Sequence, residues 1–118
     1  MDEDQNNETL TSVYANSTLI ELRVWDLKLI FGQMFKNETG KFDVDWHTEV
    51  TMPWPQVKLF SYYLQANLAV HEAQNGPIKL PQNLHPVPFV SQEDSTPEDK
   101  ALNEKIERLR KEFVEGMK

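Results

Sequence analysis

The sequence predicts an α+β fold: a three- to four-stranded antiparallel sheet, one long helix packed on a face of the sheet, and a separate C-terminal helix. Three observations lead to this prediction. Two-residue periodicity between residues 18 and 52 indicates strands joined by short turns. An apolar run over 55–76, bounded by proline and glycine, indicates the long helix. A narrow apolar stripe after Thr96 indicates the second helix.

The first two strands are predicted at residues 18–24 and 27–31, where apolar and polar residues alternate. The residues that share a face are Ile20, Leu22 and Val24 in the first strand and Leu27, Leu29 and Phe31 in the second. Only Trp25 and Asp26 separate the two segments. Such a short connection favours an antiparallel hairpin.

The third strand is predicted at residues 42–52, after a polar turn at 36–41. Its apolar residues alternate with polar ones over most of its length. The residues predicted to share the buried face are Val44, Trp46, Val50 and Met52, and those on the wet face are Asp45, His47, Glu49 and Thr51. This pattern is typical of a strand with one covered and one solvated face.

The long helix is predicted to begin at Pro55, because proline fits the first turn of a helix but cannot donate within a sheet. Gly76 is predicted to be its C-cap, with Pro77 preventing continuation. The prolines that follow keep residues 77–90 extended, so this segment is expected to lie along the domain or to add a short strand.

The long helix is apolar over more than one face. At about 100° per residue, one stripe contains Val57, Phe60, Leu64 and Leu68, and a second contains Leu59, Tyr63, Ala66, Val70 and Ala73. One small sheet covers one side of a helix. The second stripe therefore needs another cover, from a later part of this chain or from another chain.

The domain organisation predicted is a disordered acidic tail at 1–11, an α+β core with a proline-rich extension at 12–90, and a flexible acidic linker with an amphipathic helix at 91–118. Thr96 is the predicted N-cap of that last helix, with Pro97 at its first position. Its apolar stripe, which we call the docking arm, contains Leu102, Ile106, Leu109 and Phe113.

Composition excludes several functional classes. The net charge is −7, and the acidic residues are concentrated in 1–12 and 82–99. The near-neutral part between them has no Lys/Arg cluster, so a nucleic acid or an anionic membrane is not expected as the ligand. The chain has no cysteine and therefore no disulfide, thiolate metal site or cysteine nucleophile. The N-terminus is acidic and no apolar stretch follows it, so we expect neither a signal peptide nor a membrane span. This pattern predicts a cytoplasmic location.

Several short motifs occur in a characteristic order: Tyr14-Ala15-Asn16 opens a strand, Leu29-Ile30-Phe31-Gly32-Gln33 lies in the second strand, Met52-Pro53 ends a strand before the long helix, and His71-Glu72 and Gly76-Pro77-Ile78 finish that helix. In this order they resemble a short prokaryotic family known only as a domain of unknown function. The resemblance covers about residues 13–80 and leaves both tails outside. It implies a strand-strand-strand-helix unit, with no reaction, cofactor or catalytic residue attached to it.

One group of polar residues is a candidate metal site. Asp45, His47 and Glu49 are predicted to share the wet face of the third strand, and imidazole with two carboxylates suits a divalent metal. His71 and Glu72 from the helix are the candidates to complete such a site. A helix packed on the opposite face would hold them away, so an ordinary solvated strand face is the preferred interpretation.

Catalysis by a nucleophile and a base is not indicated. Ser61 and His71 are ten residues apart on one helix, which is about 15 Å and too far for a dyad. We therefore predict no catalytic residue and no cofactor. The preferred function is a non-enzymatic protein–protein interaction module.

This module is predicted to form a homo-oligomer through one face of the long helix, with the docking arm available to a protein or peptide partner. The predicted interface residues are Leu59, Tyr63, Ala66 and Val70. Two alternatives remain open: a divalent-metal sensor or metal-dependent enzyme that uses the His47 face, and a holdase-like chaperone whose exposed apolar surface binds its clients.

Overall fold

The computed structural model describes residues 10–88 and 96–117, and it confirms the α+β class with a three-stranded sheet, a long helix and a separate C-terminal helix. A short 3₁₀ turn follows the long helix. The elements are β1 (Ser17–Leu22), β2 (Asp26–Lys36), β3 (Phe42–Pro53), α1 (Trp54–Asn75), the 3₁₀ turn (Gln82–Leu84) and α2 (Pro97–Glu115).

The chain divides into two compact units, one ending at Tyr63 and the other beginning at Leu64. This division falls within α1, so each unit contains about half of that helix. The predicted boundary between residues 90 and 91 lies outside the described residues, and so do residues 1–9 of the predicted tail.

The first unit contains an antiparallel sheet with strand order β1-β2-β3. Ile20 lies opposite Leu29 and Leu22 opposite Leu27, which is the pairing of apolar faces expected from their alternation. The β1–β2 turn is closed by the Arg23 N–H, which donates to the Asp26 carbonyl at 3.0 Å. The Arg23 side chain also donates to the Asp26 carboxylate at 2.5 Å, and this hydrogen bond lowers the pKa of Asp26.

The β2–β3 turn has the chemistry that its polar residues predict. The Asn37 side-chain oxygen accepts hydrogen bonds from the main-chain N–H groups of Thr39 and Lys41, each at 3.0 Å. Gly40 has a φ of +81°, a left-handed conformation that glycine adopts without a steric penalty. This local network fixes the register of the two longest strands.

A β-bulge interrupts the pairing of β2 with β3. Phe31 lies opposite Thr48, but the next residue, Gly32, lies opposite Trp46, so His47 has no partner residue on β2. Phe31 and Gly32 are consecutive in β2, so they point to opposite faces of the sheet. Their partners Thr48 and Trp46 therefore point to opposite faces as well.

The bulge divides the apolar stripe of β3. Val50 and Met52 share a face with Leu29 and Leu27, whereas Val44 and Trp46 lie on the other face with Met34 and Gly32. The prediction that Val44, Trp46, Val50 and Met52 share one buried face is therefore wrong. Each face of the sheet is apolar over part of its length.

Leu27 is the one buried apolar side chain among the described residues, with 6% of its surface exposed. It lies between Leu22 on β1 and Met52 on β3. In the same unit, Val57 and Phe60 of α1 are half-buried, and both belong to the stripe that was predicted to face the sheet. The Trp54 indole N–H donates to the Arg23 carbonyl at 3.1 Å, which ties the start of α1 to the β1–β2 turn.

The second unit contains the C-terminal half of α1, and its end has the predicted glycine cap. Gly76 has a φ of +88°, and its N–H donates to the Glu72 carbonyl at 2.8 Å. The Glu72 carboxylate accepts a hydrogen bond from the Ile78 N–H at 2.7 Å. These bonds turn the chain sharply out of the helix.

Between α1 and α2, the described residues 77–88 contain the 3₁₀ turn and no strand, so of the two expectations for this segment the short strand is wrong within this part. At the start of α2 the predicted cap is confirmed. The Thr96 side chain accepts from the Asp99 N–H, and the Asp99 carboxylate accepts from the Thr96 N–H, which is a reciprocal capping box.

Candidate interaction surfaces

The apolar residues of α1 remain largely exposed on two sides of the helix. On the second stripe, Leu59, Tyr63 and Val70 expose 45%, 53% and 57% of their surfaces, and Ala66 is half-buried. On the first stripe, the exposed residues are Leu64 and Leu68, in the half of α1 that belongs to the second unit. Because these exposed apolar side chains are neighbours along one helix, this helix is the candidate interaction surface.

The four predicted interface residues follow the spacing i, i+4, i+7 and i+11, which places them on one side of α1. Tyr62 extends this surface, because its ring packs edge-on against Tyr63 with the ring centroids 5.6 Å apart. The stripe assignment omitted Tyr62. The adjacent tyrosine pair was the sequence signal that could have included it.

The two faces of the sheet carry further exposed apolar residues. One face presents Ile20 and Leu22, which lie beside Leu29 and Leu27. The other face presents residues toward the opposite end of β2, among them Met34 and Trp46. Sequence alternation did not reveal this second surface, because the bulge that creates it shifts the register within β3.

The candidate metal ligands Asp45, His47 and Glu49 do not converge. Asp45 lies opposite Gln33 and Glu49 lies opposite Ile30, which places the two carboxylates on different faces of the sheet. Their predicted shared face is therefore wrong. Among the described residues, no group of three or more His, Asp or Glu side chains is arranged to hold a metal ion.

Both ring nitrogens of His47 lie within hydrogen-bonding distance of neighbouring groups. Nε2 lies 2.9 Å from the Tyr14 carbonyl, and Nδ1 lies 2.7 Å from the Thr48 hydroxyl. A carbonyl only accepts, so Nε2 carries the proton that it donates, and Nδ1 accepts from Thr48 in the neutral ring. His47 thus holds the segment before β1 against the bulge of β3.

His71 and Glu72, the candidate completing ligands, have local roles at the end of α1. The His71 carbonyl accepts from the Asn75 side chain at 3.0 Å, and the Glu72 carboxylate accepts from the Ile78 N–H. Glu49 of the sheet has a different neighbour, Lys28, at 3.9 Å. The geometry therefore gives the candidate ligands separate structural environments.

Two residues of the short motifs, Asn16 and Gly32, make contacts that position the main chain. Asn16 uses its side-chain oxygen to accept from the Met34 N–H at 2.8 Å, while its own N–H donates to the Gly32 carbonyl at 3.0 Å. Gly32 is buried, and a methyl group there would lie 2.7 Å from the Trp46 ring and 2.7 Å from Val44. These residues fix the path of the chain over β2.

We expect the substitution Asn16→Ala to lower the free energy of unfolding by about 0.5–1.5 kcal/mol, because the Met34 N–H loses its acceptor. The loss is modest because this hydrogen bond is exposed to solvent. Urea denaturation followed by tryptophan fluorescence measures this loss. Asn16→Asp keeps the accepting oxygen and is the matched control, expected to lose less stability. Equal losses for the two variants would contradict the role given to that oxygen.

In α2 the predicted docking arm is largely exposed. Leu102, Leu109 and Phe113 expose half of their surfaces or more, whereas Ile106 is half-buried. The half-buried side of the helix contains Asn103, Ile106, Glu107, Arg110 and Val114. At 100° per residue this side lies about a quarter turn from the predicted stripe.

The second unit has an apolar groove of about 390 Å³. Its wall includes Leu68, Ile78, Leu80 and Phe113, and two carboxylates, Glu72 and Glu112, lie at its sides. The Phe113 side chain of the docking arm therefore lines a concave surface as well as being exposed to solvent. The groove adds to the apolar surface near the end of α1.

Comparisons with protein-family models, with curated proteins and with solved structures find no match to this chain. The functional interpretation therefore depends on the geometry described above. In residues 10–88 and 96–117, neither helix combines the length and the apolar character that crossing a membrane requires. What the two units share is apolar side chains that their own fold leaves exposed.

Proposed function

We propose that the chain is a non-enzymatic interaction module that assembles into a homo-oligomer through one side of α1. The observation that carries this proposal is the exposure of Leu59, Tyr63 and Val70, which share one side of a single helix with Ala66. An isologous interface needs the same surface on both partners, and a straight apolar stripe along a helix can pack against its own copy.

The burial energy available from this surface is similar in size to the cost of association. Burying about four such side chains per subunit contributes on the order of 5–10 kcal/mol before the cost of association is subtracted. The Tyr62–Tyr63 pair adds aromatic surface of the kind that is enriched at protein interfaces. Aromatic anchors of this kind commonly supply much of the binding energy.

We also propose that the docking arm of α2 binds a protein or peptide partner. Leu102, Leu109 and Phe113 remain exposed on one side of the helix while a different side is half-buried. An amphipathic helix with this spacing suits a helical partner or a hydrophobic groove. This second surface is separate from the α1 interface.

The substitution Tyr63→Glu tests the α1 interface. A carboxylate at the centre of a desolvated apolar surface is strongly unfavourable, so we expect the variant to have fewer subunits per particle than the unaltered protein. Light scattering after size-exclusion chromatography measures the mass over a range of protein concentrations.

Gln65→Glu is the matched control, because it places the same charge on the polar arc of the same helix. We expect this variant to keep the mass of the unaltered protein. A monomeric unaltered protein at all concentrations would contradict the proposal, and so would an unchanged mass for Tyr63→Glu. Circular dichroism establishes that both variants keep the helix.

A further inference from the structure

The outer edge of β1 lacks most of the features that protect exposed strand edges. β1 is a terminal strand of the sheet, and Ser17–Leu22 contains neither proline nor lysine, with Glu21 as its single charge. The other terminal strand, β3, has the bulge at His47, several acidic residues and Pro53 at its end. Natural sheets use such features to prevent edge pairing, so β1 is the less protected of the two edges of this sheet.

The hydrogen bonds of the β1–β2 hairpin establish which main-chain groups point outward. Arg23 donates to Asp26 across the hairpin, and the same register continues along β1. In an antiparallel pair, every second residue bonds to the neighbouring strand. The N–H and C=O groups of Thr18, Ile20 and Leu22 therefore point away from β2.

The described part of the segment before β1, residues 10–16, leads away from this edge. The Tyr14 carbonyl lies 2.9 Å from His47 Nε2 on β3, so this segment crosses toward the opposite side of the sheet. Among the described residues, β1 pairs with β2 and with no other strand. Ile20 and Leu22 are 64% and 74% exposed.

We propose that β1 pairs antiparallel with β1 of a second copy of this chain, about a two-fold axis at Ile20. In this register Ile20 lies opposite Ile20 of the second copy, and Thr18 lies opposite Leu22. The three outward-pointing residues of each strand then form about six main-chain hydrogen bonds. Two three-stranded sheets become one continuous sheet of six strands.

The side chains favour this register over the register with its axis at Glu21. With the axis at Ile20, Glu21 lies opposite Leu19, and no like charges face each other. With the axis at Glu21, two carboxylates would lie directly opposite, which is destabilising. The chosen register also joins the apolar face of Ile20 and Leu29 to the same face of the second copy. This pairing uses a different element from the α1 interface and does not depend on it.

Single-cysteine variants of the full chain test the pairing, because the chain has no cysteine of its own. In the proposed register the two Ile20 Cα atoms lie about 5.5 Å apart, within the range that a disulfide spans. The two Leu22 Cα atoms lie about 14 Å apart, since each is two residues from the axis and the two strands are about 5 Å apart. Leu22→Cys is therefore the matched control, on the same strand and the same face.

We expect Ile20→Cys to form a disulfide-linked dimer on the order of 100-fold faster than Leu22→Cys, with diamide as oxidant and about 10 μM protein, because pairing raises the effective thiol concentration to millimolar. The difference is expected to disappear in denaturant. Equal rates in the folded proteins would overturn the proposal, since they would indicate random collision. Faster linkage at Leu22 would also overturn it, because that requires another register.

The experiments test the α1 interface and the β1 pairing independently of each other. If Tyr63→Glu lowers the particle mass and Ile20→Cys shows no preference, the edge pairing is wrong and the α1 interface stands. If Ile20→Cys links preferentially and Tyr63→Glu leaves the mass unchanged, the edge pairing stands and the α1 interface is wrong.

Discussion

The substitution Leu27→Ala is expected to lower the free energy of unfolding by about 2–5 kcal/mol, because it leaves a cavity where the sheet is best packed. Leu27 lies between Leu22 and Met52 in the sheet and exposes 6% of its surface. A domain with so little buried apolar surface has few contacts with which to compensate. Urea denaturation at one fixed protein concentration measures the loss, because association also contributes to the apparent stability.

The control for Leu27→Ala is Val24→Ala in the adjacent β1–β2 turn. Val24 is 80% exposed, so its truncation is expected to change the stability by no more than about 0.5 kcal/mol. A loss at Leu27 as small as the loss at Val24 would show that the packing around Leu27 contributes little. In that event the sheet would depend on its hydrogen bonds and on association for its stability.

The elements of this fold that could be predicted from the sequence are those whose cause is local. Thr96 and Asp99 form a capping box within one turn, and Gly76 provides the left-handed residue that ends α1. Asn37 organises a turn through bonds to residues two and four positions away. Each of these features depends on a few adjacent residues, so a single sequence is sufficient to identify it.

The bulge in β3 could not be predicted from β3, because its cause lies in another strand. The alternation of residues 44–52 continues without interruption through His47, and β3 has no glycine that would indicate an irregularity. The signal was in β2, where Gly32 is an isolated glycine within a strand, a pattern associated with bulges and close approach. Its significance became clear only with the register of β2 against β3.

The burial of α2 also depends on long-range packing. Apolar spacing identified Leu102, Leu109 and Phe113 as its contact stripe, but a side that includes Glu107 and Arg110 is the half-buried one. These two side chains are hydrogen-bonded to each other, with Arg110 Nε 2.9 Å from the Glu107 carboxylate. A paired Arg and Glu can be partly buried, so polarity alone did not identify the covered side.

The sequence predicted which side of α1 carries the candidate interface, but it did not predict how much of the apolar surface of the helix is exposed. Helical periodicity places Leu59, Tyr63 and Val70 on one side, and their exposure is a property of the folded chain. Periodicity does not indicate how far along the helix each apolar side is covered. The exposed Leu64 and Leu68 show that the stripe assigned to the sheet is also open in the second half of the helix.

The substitution Gly32→Ala is expected to cost about 1–3 kcal/mol through overpacking at the bulge. A methyl group at this position would lie 2.7 Å from the Trp46 ring, 2.7 Å from the Val44 side chain and 2.8 Å from the Asp45 carbonyl. The carbonyl belongs to the main chain of β3, so the collision is relieved only by moving that strand. Urea denaturation measures the cost, and Gly116→Ala is the control, because its nearest contacts are ordinary and its φ of −65° suits alanine.

A double-mutant cycle with Val44→Ala identifies the source of this cost. Shortening Val44 removes one of the three close contacts, so the pair Gly32→Ala with Val44→Ala is expected to lose about 0.5–1 kcal/mol less than the sum of the single variants. Strict additivity would contradict a collision with Val44. Because Gly32 and Val44 lie on the face that the bulge creates, coupling between them would also verify in solution that the apolar stripe of β3 is divided between the two faces.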